Sequence, residues 1–440
     1  MHRSLIPFLT APALAAAALF ALPASAQSLQ ELYDAARSFD AVILAARAQA
    51  QSAEFRVEQT EALARPTASA TASANAARSD LPVLGQRSTN TVSAALNGRY
   101  PLFNRANSVT IEQARRSLET AKADLETAEQ DLIVRVAQAY FDVLAAQDAL
   151  GTTQANKKFI TEQLASAKRN FEVGTATITD TREAQARFDL AAAQEISAEN
   201  DLRTKRIALD QLVGRTGVEP RPLKVPVVLP SPAPANAEEW VTKADAVHPT
   251  VRRSRVALDV ATLEIDKARA GHLPTVDAVA SIGPTNQRGS AVSLPGTTTT
   301  GSLGVQMTWP LYTGGSVGNR IKETLLLEEK ARNDLAAARR AVAQATRVAY
   351  FSVQSGAAQV KALEAAEAST KLALEATQLG YRVGVRVNLD VLNAQTQLFT
   401  TQRDLAKARY DVLVGTLRLR QAAGQLVSGD IQAVNALLAP

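Results

Sequence analysis

Cysteine is absent from all 440 residues. That removes disulfides, thiolate metal sites and a lipid-modified cysteine at a processed N-terminus. Long apolar runs are missing too: after Gln27 no stretch nears the ~20 continuous apolar residues that a membrane helix requires. Any passage through a membrane therefore falls to β-strands. Histidine is scarce, with His248 and His272 the two beyond the first residues, and both stand at structural junctions. No nucleophile, metal-ligand or phosphate-loop constellation accompanies them, so the chain reads as no enzyme, with no metal and no cofactor. Aromatics are 5% of the sequence, the net charge is only +5, and acids and bases alternate without a basic block. Such mixing marks solvated helix faces and argues against a nucleic-acid partner.

What is present begins with a targeting segment. Arg3 precedes an almost unbroken apolar run from Leu5 to Leu22, and Ala24-Ser25-Ala26 forms an A-x-A cleavage site. Residues 1–26 read as a cleaved signal peptide, leaving Gln27 at the start of the mature chain on the far side of the inner membrane.

The rest is said twice. Phe171-Glu172-Val173-Gly174 leads to Asp180, and Tyr381-Arg382-Val383-Gly384 leads to Asp390 at the same spacing. Tyr100-Pro101-Leu102-Phe103 is answered by Trp309-Pro310-Leu311-Tyr312, Ala139-Tyr140-Phe141 by Ala349-Tyr350-Phe351, and Pro66 by Pro274. The offset stays near 210 residues, the signature of an internal tandem repeat.

Each copy changes its hydrophobic period in the same order. Residues 28–64 lack Pro and Gly and read as helix. From Thr67 to Ala76 polar and apolar residues alternate at every step, as in a strand with two unlike faces. A polar loop is expected at 78–90, followed by a second strand in which Val92, Ala94, Leu96 and Tyr100 oppose Ser93, Asn97 and Arg99. Residues 104–172 then form one helical pattern, roughly 68 residues or about 100 Å, long enough to indicate coiled coil. The chain thus divides into a first repeat at 27–214, a Pro-rich linker at 215–236, a second repeat at 237–427 and a tail at 428–440. The first repeat carries a β-hairpin at 66–103, the long helix at 104–172 and a half-length helix at 181–212. The second carries a helix at 237–270, a hairpin at 274–312 with a loop at 283–301, a long helix at 318–379 and a half-length helix at 389–423. In each copy the two shorter helices together match the long one, which builds a rod with its strands at one end and both Gly turns at the other.

Four strands per chain cannot close a barrel, and an open edge is not viable in lipid. Symmetric assembly resolves this, and three copies would supply twelve strands around an aqueous lumen. Tyr100, Phe103, Trp309 and Tyr312 fall where strand passes into helix, at the level of an interfacial aromatic girdle. The rival class is a soluble periplasmic coiled-coil adaptor or structural rod, against which the alternating strands argue.

With these motifs in order and at constant offset, the chain resembles the TolC family of outer-membrane efflux and secretion ducts over essentially all of 27–427. The segment Gly271-His272-Leu273-Pro274-Thr275-Val276-Asp277 adds to the likeness. The resemblance implies an α+β membrane protein: a homotrimer whose 12-stranded β-barrel in outer-membrane lipid continues into a long antiparallel α-helical coiled-coil tunnel in the periplasm. It also implies docking to a periplasmic adaptor (membrane fusion) protein and to an inner-membrane transporter of the proton-driven RND or the ABC type.

The same resemblance implies a gate at the periplasmic tip. Thr179 and Asp180 on the first hairpin match its anchoring side, and Tyr381 and Arg386 on the second match its latch. A Tyr381 hydroxyl bound to the Asp180 carboxylate, with Arg386 reaching Thr179 and Asp180, is the expected pairing. Asp390 matches the inner member of a family aspartate pair, but the outer position is Asn393 here, leaving a ring of three charges rather than six in a trimer. Asp180 and Asp390 can equally cap the helices that follow, and capping can coexist with gating. The turns at Gly174-Thr175 and Gly384-Val385 are the expected adaptor-docking surface, while their glycines also suit a positive φ.

Overall fold

The computed structural model describes residues 26–82, 85–224, 226–227, 229–289 and 295–439. The targeting segment, apart from Ala26, lies outside the described residues. Helices α1 (Leu29–Phe39) and α2 (Ala41–Glu61) lead to strands β1 (Thr67–Leu81) and β2 (Gly85–Phe103), then to α3 (Arg105–Glu172) and α4 (Ile178–Val213). The order recurs with α5 (Ala237–Val247), α6 (Pro249–Ala270), β3 (Thr275–Arg288), β4 (Gly296–Thr308), α7 (Ser316–Arg382) and α8 (Asn388–Ala422). A short α9 (Gly429–Asn435) follows.

The strands form one antiparallel sheet in the order β1-β2-β3-β4. Its register puts Ala72 and Ala74 beside Ala94 and Val92, and Leu96 beside Ile282, with Ala280 beside Leu303 and Ala278 beside Val305, on a single face. That face is apolar and open, and Leu303 is 86% exposed. The other face is a polar ladder. Ser73 meets Ser93 and Ser281 meets Ser302, each hydroxyl pair at 2.8 Å, and Asn97 Nδ2 donates to Thr71 Oγ1 at 3.2 Å. Lower on the same face Arg99 Nη2 donates to Asp277 Oδ2 at 2.7 Å.

The strands run further than their side chains advertise. Of the loop expected at 78–90, residues 78–81 and 85–90 are strand, because β1 continues to Leu81 and β2 starts at Gly85; residues 83–84 lie outside the described residues. Likewise β3 reaches Arg288 and β4 starts at Gly296, within the loop expected at 283–301. Ladder bonds are made by the backbone, so polar Ser, Thr, Asn and Gln side chains do not end a strand whose outer end is wet on both faces.

Helix α3 organises the rest. Its first half meets α2 through Arg115–Glu61 and α6 through Gln113–Glu264, each at 2.8 Å. Its second half meets α4 through Lys157–Glu195 at 2.5 Å and α8 through the Tyr410 hydroxyl, which donates to Asp148 Oδ2 at 2.6 Å. Between the halves lies the main apolar core, in which Leu132, Val136, Tyr140, Phe141 and Leu144 pack on Leu29, Leu32, Leu413, Leu417 and Ile431. Phe141 is 1% exposed and stacks on Tyr410 with centroids 5.6 Å apart.

Two segments expected to be linker and tail are part of this core region. Gln27 pairs with Pro220 and Leu223 with Leu438 as β-bridges, and α9 lies against α1. The Tyr140 hydroxyl sits within 2.9 Å of the Arg221 carbonyl and 3.2 Å of that of Gln27. In the second half, Tyr350 donates to the Ala235 carbonyl at 2.8 Å and Trp240 Nε1 to that of Pro234 at 2.9 Å. Proline removes donors but keeps carbonyls, so a Pro-rich strap can still be held by buried aromatic donors.

The helices expected as single pieces at 28–64 and 237–270 are each broken. At Asp40 the carboxylate accepts from Val42 N and Ile43 N at 2.9 and 3.0 Å, capping α2 while Asp40 itself ends α1. Arg135 of α3 holds both oxygens of the same carboxylate, at 2.8 and 3.2 Å. The matching break is His248-Pro249, where His248 Nδ1 accepts from Thr250 N at 3.1 Å. Burial lowers the His248 pKa, which keeps the imidazole neutral and able to accept.

The Arg135 hydrogen bond, helped by the capped amides, lowers the Asp40 pKa below its ordinary 3.8 against the opposing pull of burial. A carboxylate depressed on folding contributes stability above its unfolded pKa and loses it as pH falls through the folded value. Acid destabilisation is therefore expected to steepen below pH 3.8 in the wild type and to be shallower in Asp40→Asn. Asn keeps an acceptor for the cap, so unfolding midpoints measured against pH isolate the charge. Identical acid limbs would refute the assignment.

Candidate functional site at the hairpin tips

Long helices need a turn that reverses the chain within a few residues, and both turns are built alike. Gly174 and Gly384 adopt φ of 79° and 81°, the left-handed region that glycine enters without penalty. After each, the amide of Thr175 or Val385 returns to the carbonyl of Asn170 or Gly380, at 2.8 and 2.9 Å. Backbone amides thus satisfy both helix ends, and at the first the Thr175 hydroxyl also donates to the Asn170 carbonyl at 3.1 Å. Val385 and Val173 lie wide open at the apex.

The helix starts beyond the turns differ. On the first hairpin Thr177 and Asp180 form a reciprocal capping box: Asp180 N reaches Thr177 Oγ1 at 3.3 Å, and Thr177 N reaches Asp180 Oδ2 at 2.9 Å. The Thr177 hydroxyl donates to the same carboxylate at 2.7 Å, and Thr179 also bonds to that hydroxyl. On the second hairpin Val387 has no hydroxyl, and only its amide reaches Asp390 Oδ2, at 3.4 Å. Asp390 is left freer to interact elsewhere.

Within the chain, the expected latch pairs are not the ones formed. The Tyr381 hydroxyl accepts from Asn170 Nδ2 at 3.3 Å instead of meeting Asp180, whose Oδ2 is engaged by its own cap. Arg386, in the turn just before α8, lies 3.7 Å from Asp390 of α8 rather than at Thr179 and Asp180. A local partner one turn away costs less chain ordering than a reach across hairpins, and at 62% exposure this Arg386 pair contributes little to stability.

The cross-hairpin polar contact near the aperture position is another one. Arg187 Nη2 of α4 donates to Asn393 Oδ1 of α8 at 3.0 Å. Neither Arg187 nor Asn170 was singled out from the sequence. The signal lies in the sequence: 210 residues on, Asn170 is matched by Gly380 and Arg187 by Gln397, places where the two halves differ in hydrogen bonding or charge. Apolar clusters brace these contacts. Ile160, Ala191 and Leu392 pack with Phe159 and Phe188, and Phe159 also joins Leu374, Val391, Leu398 and Tyr381.

At the far end Tyr100 and Phe103 close β2 and Trp309 follows β4, all exposed, with Tyr312 at 90%. Trp309 Nε1 donates to the His272 carbonyl at 3.1 Å, tying the strand exit to the end of α6. Among the described residues no helix is long and apolar enough to cross a membrane, and no group of three or more His, Asp or Glu is placed to hold a metal.

A four-stranded sheet capping helical hairpins of this length is a narrow architecture, and two stretches of the chain, 32–215 and 240–425, match the outer membrane efflux protein family. The chain belongs to that family. It is similar to the outer membrane protein TolC of Vibrio cholerae serotype O1, 34% identical over 93% of this chain and 94% of that one. The alkaline protease secretion protein AprF of Pseudomonas aeruginosa is 36% identical over 69% of this chain and 64% of its own. The fold matches the crystal structure of the outer membrane protein VceC of Vibrio cholerae, with a TM-score of 0.76, 20% identity and coverage of 90% and 96%. This efflux-family protein is accordingly an outer-membrane channel of the efflux or secretion kind, with its helical hairpins as the periplasmic part. The family is one of transport ducts rather than enzymes, and the soluble-rod alternative is not favoured.

Proposed function

We propose that three copies assemble into one exit duct, each giving four strands to a 12-stranded barrel and two hairpins to a periplasmic tunnel closed at its tip. The observation that carries this is the sheet itself. Among the described residues the outer edges of β1 and β4 are unpaired, one face is apolar and open, and the other is a polar ladder. Pairing β1 of one copy with β4 of the next removes both edges and encloses the polar face. The near-matching order of the two halves supports an internal tandem repeat, which would give such a tunnel its pseudo-symmetric wall.

In this duct Tyr100, Phe103, Trp309 and Tyr312 sit at the membrane interface. The exposed turns Gly174-Thr175 and Gly384-Val385 meet a periplasmic adaptor, through which an inner-membrane transporter delivers cargo. The relative named for alkaline protease secretion supports a secretion role, and the family description supports efflux. Thr179, Asp180, Tyr381, Arg386, Asp390 and Asn393 form the gate region, with the tips held by Asn170–Tyr381 and Arg187–Asn393.

Chemical crosslinking of the detergent-solubilised protein is the direct test. Cysteines placed at Ala72 of β1 and Leu303 of β4 lie on opposite sheet edges and should crosslink between copies into a trimer. Species that stop at dimer would sink the barrel. For the gate, Tyr381→Phe with Arg386→Ser is expected to raise single-channel conductance in planar bilayers. Unchanged conductance would reject these residues as part of the closure.

A further inference from the structure

We propose that Arg187 sets the ion preference of the constriction, by bringing a positive charge from the first hairpin onto the face of α8 that carries Asp390. The inference rests on the reading that this face lines the aperture, and it goes beyond the gate residues named for it.

The face is defined by burial. Asp390, Asn393 and Gln397 follow one another at helical spacing along α8, with Arg386 in the turn before it, and all are exposed or half-buried, while Val391, Leu392, Gln395 and Leu398 point into the protein. Among the described residues, the side chain of α4 that hydrogen-bonds to α8 is Arg187, and it does so at Asn393 on that face. Its placement is not left to a floppy side chain alone. The neighbours of the two bonded residues, Phe188 and Leu392, pack in one apolar cluster, so the backbone on either side is fixed. Asn393 lies one helical turn past Asp390, which sets the guanidinium roughly 5 Å along the axis from the carboxylate's residue.

The charge balance follows. Asp390 already has Arg386 at 3.7 Å, and Arg187 adds a second cation beside a neutral Asn393. On this face of α8 Arg386 and Arg187 then outnumber Asp390 in each copy, Asp180 being held in its own cap with Thr177 on α4, and symmetry repeats the excess around the lumen. A ring of aspartates alone would favour cations. With Arg187 in place the constriction instead admits small anions as readily as cations, or more so. The same geometry explains what Asn at 393 does. It accepts a hydrogen bond without cancelling the arginine, whereas an aspartate there would form an ion pair and silence it.

The test is the K+/Cl− permeability ratio of the full-length channel, from reversal potentials in planar bilayers at about 0.1 M salt, where charges still act over ~10 Å. Arg187→Gln is expected to raise the ratio about two-fold or more, and Arg187→Lys to stay near wild type because the charge remains. Asn393→Asp should raise it further in the Arg187→Gln background than alone. If Arg187→Lys matches Arg187→Gln, the link is structural and the proposal fails. If Arg187→Gln has no effect while Asp390→Asn lowers the ratio, Arg187 is idle although the aperture reading stands. If neither moves it, this α8 face does not line the constriction and that reading falls with the proposal.

Discussion

Arginine in place of Leu303 is expected to strip the protein from the outer-membrane fraction, whereas arginine in place of the adjacent Ser302 leaves it there. Leu303 stands opposite Ala280 on the apolar face of the sheet and is 86% exposed. In a barrel that face meets lipid, where an arginine near the midplane costs about 2–4 kcal/mol. A symmetric assembly meets that cost once per copy, so the total is large against the stability of the inserted state. Ser302 points the other way and loses only its hydroxyl contact with Ser281. A guanidinium in an aqueous lumen stays hydrated. Membrane fractionation with heat-modifiability on gels reads both variants. Equal loss in the two would mean that the sheet has no lipid-facing side.

Truncating Phe141 to alanine is expected to cost about 3–5 kcal/mol of stability, the largest single-residue effect in the helical part. The ring is 1% exposed, stacks on Tyr410 and meets Tyr140 edge-on with centroids 5.4 Å apart. It sits where α3, α1 and α8 share one core with the strap and the C-terminal helix, so the cavity cannot close by moving one element. Phe351, 210 residues further on in the matching Ala-Tyr-Phe segment, is 55% exposed, and Phe351→Ala in the same chain should cost far less within a protomer. Thermal unfolding followed by helical circular dichroism measures both. A smaller loss for Phe141 than for Phe351 would contradict this placement of the core.

The strands and long helices were legible because they rest on local patterns. Alternation from Thr67 to Ala76 needs only one wet face and one dry face, and a run without Pro and with Gly151 as its single Gly needs nothing but propensity to become α3. The helix breaks were harder. Nothing in the composition around Asp40 forbids a continuous helix; the break exists because Arg135, far along the chain, holds the carboxylate that caps α2. The strap reads as a connection because its proline content hides the fact that Tyr140, Tyr350 and Trp240 hold its carbonyls.

The candidate site divides in the same way. Gly174, Gly384, Asp180 and Asp390 could be found from sequence, since a positive φ and a helix cap are requirements of the turn itself. The partners could not. Tyr381 binds Asn170 and Asn393 binds Arg187 because two hairpins lie side by side at one particular offset, fixed by Phe159 and Phe188 beneath them.

By itself, then, the sequence determined the recurring order of elements, the two-faced strands, the length of the helices and the position of the turns. Each of these follows from backbone preference and hydrophobic period over neighbouring residues. Only the tertiary structure decided which side chains meet across hairpins and which connections are buried. Those outcomes depend on the lateral register of packed helices, and register is a sum over distant apolar contacts that no local pattern encodes.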